Sequence, residues 1–198
     1  DGIRDYKVTG VQTCALPIFF GISVNNGLVE REENVEGAWA QVENQYQRRA
    51  DLIPNLVNTV RGAADFEQET LTAVVEARSQ ATSINVSAED LNDPAKIAQF
   101  QEAQQQLSGA LSRLMVSVER YPELRANSNF RDLQAQLEGT ENRISTERMR
   151  FNNAAQSYNT SIRKFPTSII ASIGGFERKA YFEAESGAEQ APTVDFSN

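Results

Sequence analysis

An all-α fold, an antiparallel helical bundle with a long kinked first helix, is predicted by three features of the sequence. Apolar residues recur in steps of three, four and seven over most of the chain, strand-like alternation of useful length is missing, and proline and glycine punctuate only a few places. The chain has 198 residues, 40% hydrophobic and 23% charged, which suits one domain with a sizeable core plus tails.

The first helix is read from Leu28. Leu28, Val35, Trp39, Val42, Tyr46, Ile53, Leu56 and Val60 form one stripe, which resumes at Leu71, Val74, Val75 and Ala81. The spacing therefore predicts a helix over about 28–84. Pro54 lies inside it, where the ring crowds the carbonyl of Ala50 and one backbone hydrogen bond is lost, so a kink is expected there. Asn85 to Asn92 is a polar connection with one capped turn at Ser87-Ala88-Glu89-Asp90. Asp93-Pro94 starts the second helix, over about 94–120, with the carboxylate at the N-cap and proline at the first helical position. Its row is Ile97, Phe100, Leu107, Leu111, Leu114, Val118 and Tyr121, interrupted by Gln104.

After Pro122-Glu123-Leu124-Arg125-Ala126-Asn127-Ser128, a third helix is expected over about 129–165. Phe130, Leu133, Leu137, Ile144, Phe151, Ala155, Tyr158, Ile162 and Phe165 make up its stripe. Pro166 stops it. A short helix over about 167–174 follows, carrying Ile169, Ile170 and Ile173 and closed by Gly174-Gly175. Short connections between long helices favour antiparallel neighbours, as in a four-helix bundle. The bundle domain spans 28–182, and 183–198, rich in Glu, Ser, Gly, Ala and Gln, reads as a loose tail. The expected core is Trp39, Val42, Tyr46, Ile53, Leu56, Leu111, Leu114, Leu137, Ile144, Phe151, Tyr158 and Phe165.

Composition excludes several chemistries. Without histidine, no Ser-His-Asp or Cys-His pair and no imidazole metal ligand can be built. The lone Cys14 can form neither an internal disulfide nor a cysteine cluster. A net charge of −8 disfavours nucleic acid as a partner. No cofactor is implied. Glu138 and Glu141, three apart on one helical face, are the only pair singled out for acid/base work or a hard cation. The same carboxylates, with Glu43, are in register to meet Arg48, Arg49, Arg143 and Arg148 as inter-helix ion pairs, which would set register more than stability. Tyr46 and Tyr158 are expected to turn their hydroxyls to polar neighbours such as Asn55 or Asn142. Asn152-Asn153 and Asn127-Ser128-Asn129 read as hydrogen-bonding turns or caps.

The N-terminus is unlike the rest. Val8-Thr9-Gly10-Val11-Gln12-Thr13-Cys14-Ala15-Leu16-Pro17-Ile18 resembles, residue for residue, the in-frame translation of a short-read sequencing adapter. Residues 1–18 are therefore read as non-native and set aside from the fold. Phe19-Phe20-Gly21-Ile22-Ser23-Val24 then begins a stretch, 19–27, that fits the last turns of a transmembrane helix but is itself too short to span a bilayer.

Several motifs, in order, resemble the bacterial LemA family. They are Glu33-Asn34-Val35-Glu36-Gly37-Ala38-Trp39-Ala40-Gln41-Val42, Gln45-Tyr46-Gln47-Arg48-Arg49-Ala50-Asp51-Leu52-Ile53-Pro54-Asn55-Leu56-Val57, Val118-Glu119-Arg120-Tyr121-Pro122-Glu123-Leu124-Arg125-Ala126-Asn127 and Leu137-Glu138-Gly139-Thr140-Glu141-Asn142-Arg143-Ile144. Tyr158-Asn159-Thr160-Ser161-Ile162-Arg163-Lys164-Phe165-Pro166 and Tyr181-Phe182-Glu183-Ala184 continue the match, which runs from about Phe19 to Phe196. The resemblance implies a helical bundle on one N-terminal transmembrane helix in the bacterial cell membrane, with no established activity, and envelope proteins as partners. Glu30, Glu32 and Glu33 around Arg31 point to an external bundle. Two alternatives stay open beside this scaffold reading. One is a carboxylate-based enzyme or cation-binding bundle using Glu138 and Glu141. The other is a soluble coiled-coil homo-oligomer.

Overall fold

A computed structural model describes residues 5–62 and 66–183, with side chains from Ile18 onward. The helices are α1 Asp5–Arg61, α2 Gln68–Ser83, α3 Pro94–Val118, α4 Pro122–Ala126, α5 Ser128–Arg163 and α6 Thr167–Gly174, and among the described residues there is no strand. The side chains of 5–17, residues 1–4 and the tail beyond Glu183 lie outside the described residues.

Side-chain bonds between helices fix their directions. Arg31 reaches Ser157 and Arg49 reaches Glu141, so α1 and α5 run antiparallel. Arg78 of α2 bonds Ala50 of α1, while Glu67 just before α2 meets Arg120 and Gln104 of α3 meets Ala81. The long helices therefore alternate up, down, up, down as α1, α2, α3 and α5. Local chemistry sets their ends. Asp93 caps α3 by accepting from the Ala95 amide with Pro94 at the first position, and Asn127 caps α5 by accepting from Asn129 and Phe130. In the connection, the backbone N–H and hydroxyl of Ser87 both donate to Asp90.

Two expectations are corrected. Residues 28–84 do not form one helix. The chain stays helical through Pro54 and breaks after Arg61, close to Gly62, a poor helix former. The eleven-residue interval from Val60 to Leu71 is close to three helical turns, so the stripe keeps its phase across a break that it cannot reveal. Phe165 is not core: α5 ends at Arg163, the stripe position is lost, and the ring is 81% exposed. Leu111 is half-buried, and the other ten residues expected in the core are buried.

Beyond α6 the chain turns back as an extended strap, 176–183, laid against α5 and α3. Gly175 adopts a left-handed φ of 74° that frees it to close α6, and a Cβ on Gly174 would lie 2.7 Å from the Phe176 ring. Asn159 and Asn152, two turns apart on α5, each clasp the strap twice, at Lys179 and at Phe182. The Ala180 amide donates to Leu91 O at 2.7 Å, and Gln101 exchanges bonds with Glu183.

Candidate functional site

The core is divided into two apolar clusters. One gathers Trp39, Tyr46, Phe100, Ile144, Phe151, Tyr158 and Phe182, and the other Ile53, Leu56, Leu107, Leu114 and Leu137. Between Tyr46 and Ile53, Phe100 and Leu107, and Leu137 and Ile144 the stripes of three helices step by seven. Within these steps Arg49 and Gln104 are buried beside Ala50 and Ala103, Thr140 is buried on α5, and Glu141 next to it is exposed.

Arg49 is the centre of this layer and only 2% exposed. Its Nη1 donates to Ser108 Oγ at 2.9 Å and to Glu141 Oε2 at 2.8 Å. Nη2 donates to the backbone carbonyl of Gln104 at 3.3 Å and to its Oε1 at 2.5 Å. Gln104 Nε2 in turn donates to Ala81 O, so α1, α2, α3 and α5 are tied through two side chains. The guanidinium also lies 5.1 Å from the Tyr46 ring centroid. An arginine suits such a place because its planar fork serves several acceptors without losing its charge. Its Nε is buried without an acceptor, so satisfaction is incomplete.

Of the other charged residues considered, Arg48 and Arg143 are exposed, and Glu138 is exposed and accepts from Gln134. Among the described residues these three form no inter-helix ion pair. Arg148 donates to Glu183 O and lies over the Phe182 ring, and Glu43 is half-buried, where desolvation raises its carboxyl above the usual range. Glu138 and Glu141 both line a shallow groove of about 410 Å³ with Ser108, Leu111 and Met115. In that groove Glu141 serves as the counter-ion of Arg49. Among the described residues, no three acidic, cysteine or histidine side chains gather as a metal site.

A second buried cation with a carboxylate partner was not anticipated. Lys179 of the strap, 3% exposed, meets Glu32 at 2.8 Å and lies over the Tyr158 ring. Burial, then the Glu32 carboxylate, raises the Tyr158 phenol well above its ordinary value, and the hydroxyl meets no acceptor in good hydrogen-bond geometry. Tyr46 is also raised by burial, against the pull of Arg148 and Arg49. These neighbours replace the Asn55 and Asn142 expected for the two hydroxyls. Trp39 stands beside this region, edge-on to Phe100 and Phe151 at 5.4 Å, stacked on Phe182 at 5.7 Å, and donating to Val86 O.

The LemA family model matches residues 38–196. The chain belongs to the LemA family. Magnetosome protein MamQ 2 of Paramagnetospirillum magneticum is 28% identical over 185 residues, covering 85% of this chain and 68% of its own length. Magnetosome protein MamQ of Magnetospirillum gryphiswaldense matches to the same extent. Protein LemA of Metamycoplasma hominis is 23% identical over 186 residues, covering 89% and 81%. The LemA match takes in Trp39, Arg49, Gln104, Glu141 and the strap, so the polar layer and its aromatic neighbour lie inside the shared region. Glu32 precedes it.

Gln104, which interrupts the apolar row of α3, was the legible trace of the polar layer. The strap left no such trace. Lys179 and Phe182 sit in an extended segment with no period, and their partners are Asn side chains whose reach cannot be read from spacing.

Proposed function

We propose that this LemA protein is a membrane-anchored helical scaffold of the bacterial envelope that presents bundle faces to other envelope proteins, without catalysing a reaction. The observation that carries this reading is that the buried guanidinium of Arg49 is taken up by partners within the bundle. Arg49, its most reactive-looking member, is held by Glu141, Gln104 and Ser108, which makes it a register device rather than a waiting ligand. Family membership supports the anchor, as does the apolar run at Phe19-Phe20-Gly21-Ile22. Among the described residues, no helix is long and apolar enough to cross a membrane. We propose the anchor upstream of Phe19, where the adapter-like residues 1–18 stand. The side of the membrane is proposed as external, from the acidic flank at Glu30, Glu32 and Glu33.

The groove shared by Glu138 and Glu141 favours the carboxylate-enzyme reading as the second one, although there one carboxylate is already bound to Arg49. Photo-crosslinking in cells distinguishes the two. With a crosslinker at Val75, Val116 or Met149, all exposed on the bundle, the natural gene product should give discrete adducts in carbonate-washed membranes. A protein found in the soluble fraction, with no adduct from any of the three positions, would overturn the scaffold reading.

A further inference from the structure

Exposed apolar surface is concentrated at one end of the bundle. Of the eleven large apolar side chains that are exposed among the described residues from Phe19 onward, six fall in 19–22 and 165–173. These two segments are neighbours. Gly21 of α1 sits against Ile170, Gly174 packs near Asn25, and α5 delivers Phe165 to the same end because it runs antiparallel to α1.

The short helix α6 is apolar on more than one side. Ala171 is buried and Ile170 half-buried against the bundle, while Ile169 is 52% and Ile173 81% exposed. Thr167, Ser168 and Ser172 interrupt its apolar surface, so α6 is an amphipathic helix whose exposed Ile169 and Ile173 are left uncovered by the bundle. Charge is arranged to match. In a chain of net charge −8, no Asp or Glu occurs in 18–29 or in 148–176, and acidic residues resume only at Glu30 and Glu177. The exposed cations Arg163 and Lys164 stand directly before Phe165.

We infer that this end seats on an anionic bilayer, with Ile169, Ile173 and Phe165 in the acyl boundary and Arg163 and Lys164 among the lipid phosphates. Apolar burial with basic residues at the headgroups is the chemistry of an interfacial helix. The bundle would then stand on the membrane at two places, the N-terminal end of α1 and α6, which would fix its tilt and rotation as one attachment cannot. The inference rests on the membrane reading above, but it makes a separate claim about α6.

The test uses the full chain carrying Cys14→Ser and Ile173→Cys, labelled at position 173 with an environment-sensitive fluorophore and mixed with vesicles of phosphatidylcholine and phosphatidylglycerol. The label should shift to the blue and be quenched by shallow spin-labelled lipid. A label at Met149→Cys should stay aqueous. In unlabelled chain, Ile169→Ser with Ile173→Ser should lower vesicle affinity at least about tenfold while leaving the thermal melt unchanged, since both side chains are already exposed. If the chain binds vesicles while the label at 173 stays aqueous, the α6 contact is wrong and the anchor reading survives. If binding survives Phe19→Ser with Phe20→Ser but not the α6 pair, the α6 contact stands without help from the start of α1, and the anchor upstream of Phe19 is judged separately by its own test. A blue shift that needs no vesicle and tracks protein concentration, or no vesicle binding at all, overturns the inference.

Discussion

At the scale of single residues, the polar layer is where side-chain chemistry has most consequence. Arg49 lies on the apolar stripe of α1, and removing its head group leaves the side-chain oxygen of buried Gln104 without its donor. Arg49→Ala should therefore cost about 3–5 kcal/mol of stability, measured by urea unfolding. Replacing the layer by hydrocarbon, with Arg49→Met and Gln104→Leu together, should recover part of that loss, because no buried side-chain amide is then left without Arg49, although the Ala81 carbonyl loses its donor. A cost below about 1 kcal/mol for Arg49→Ala would mean that the layer is not buried as described. The two raised phenols give a pH dependence of definite sign. Tyr46 and Tyr158 keep their protons in the folded state at pH values where the unfolded chain has released them. Their contribution is thus fully present below the unfolded value near 10 and lost as pH rises beyond it. The urea midpoint should fall between pH 9 and pH 11, and fall less in a Tyr46→Phe, Tyr158→Phe chain. An identical fall in both chains would remove the tyrosines as the cause. Trp39 and Tyr158 were legible as core from spacing alone. Lys179 was not, because a lysine in an aperiodic segment carries no sign that it will be buried.

At the scale of elements, the proline of α1 has a constructive use. Pro54 has no N–H to offer the carbonyl of Ala50, which is buried and would otherwise be unsatisfied. Arg78 of α2 donates its Nε to that carbonyl at 2.8 Å. The missing hydrogen bond thus becomes a docking point for the next helix, which accounts for α1 remaining helical through the proline. A double-mutant cycle reads this directly. Arg78→Met should cost about 1.5–3 kcal/mol in the natural sequence and distinctly less in a Pro54→Ala background, where the amide at position 54 satisfies Ala50. Equal costs in the two backgrounds would mean that the arginine contributes nothing through this bond. The sequence marked Pro54 as the place of a kink within one helix, since local rules treat a lost hydrogen bond as a defect and cannot see a donor arriving from another helix. The true break near Gly62 was hidden by the phase of the stripe. The caps at Asp93 and Asn127 lie where the helix starts were read, because capping depends only on residues within one turn.

At the scale of the whole molecule, the up-down alternation of α1, α2, α3 and α5 follows from helix lengths and short connections, which is why the bundle class was legible from the sequence. The uneven distribution of charge and apolar exposure between its two ends was not, because it depends on α6 and the start of α1 coming together in space. The bundle is proposed to stand on a membrane through a helix that precedes Phe19. Deciding it requires the chromosomal sequence upstream of Phe19, amplified from source DNA with a primer in the Trp39 region. The account predicts a run of about 20 apolar codons in place of the adapter-like stretch. Finding Val8–Ile18 encoded in the chromosome would contradict it.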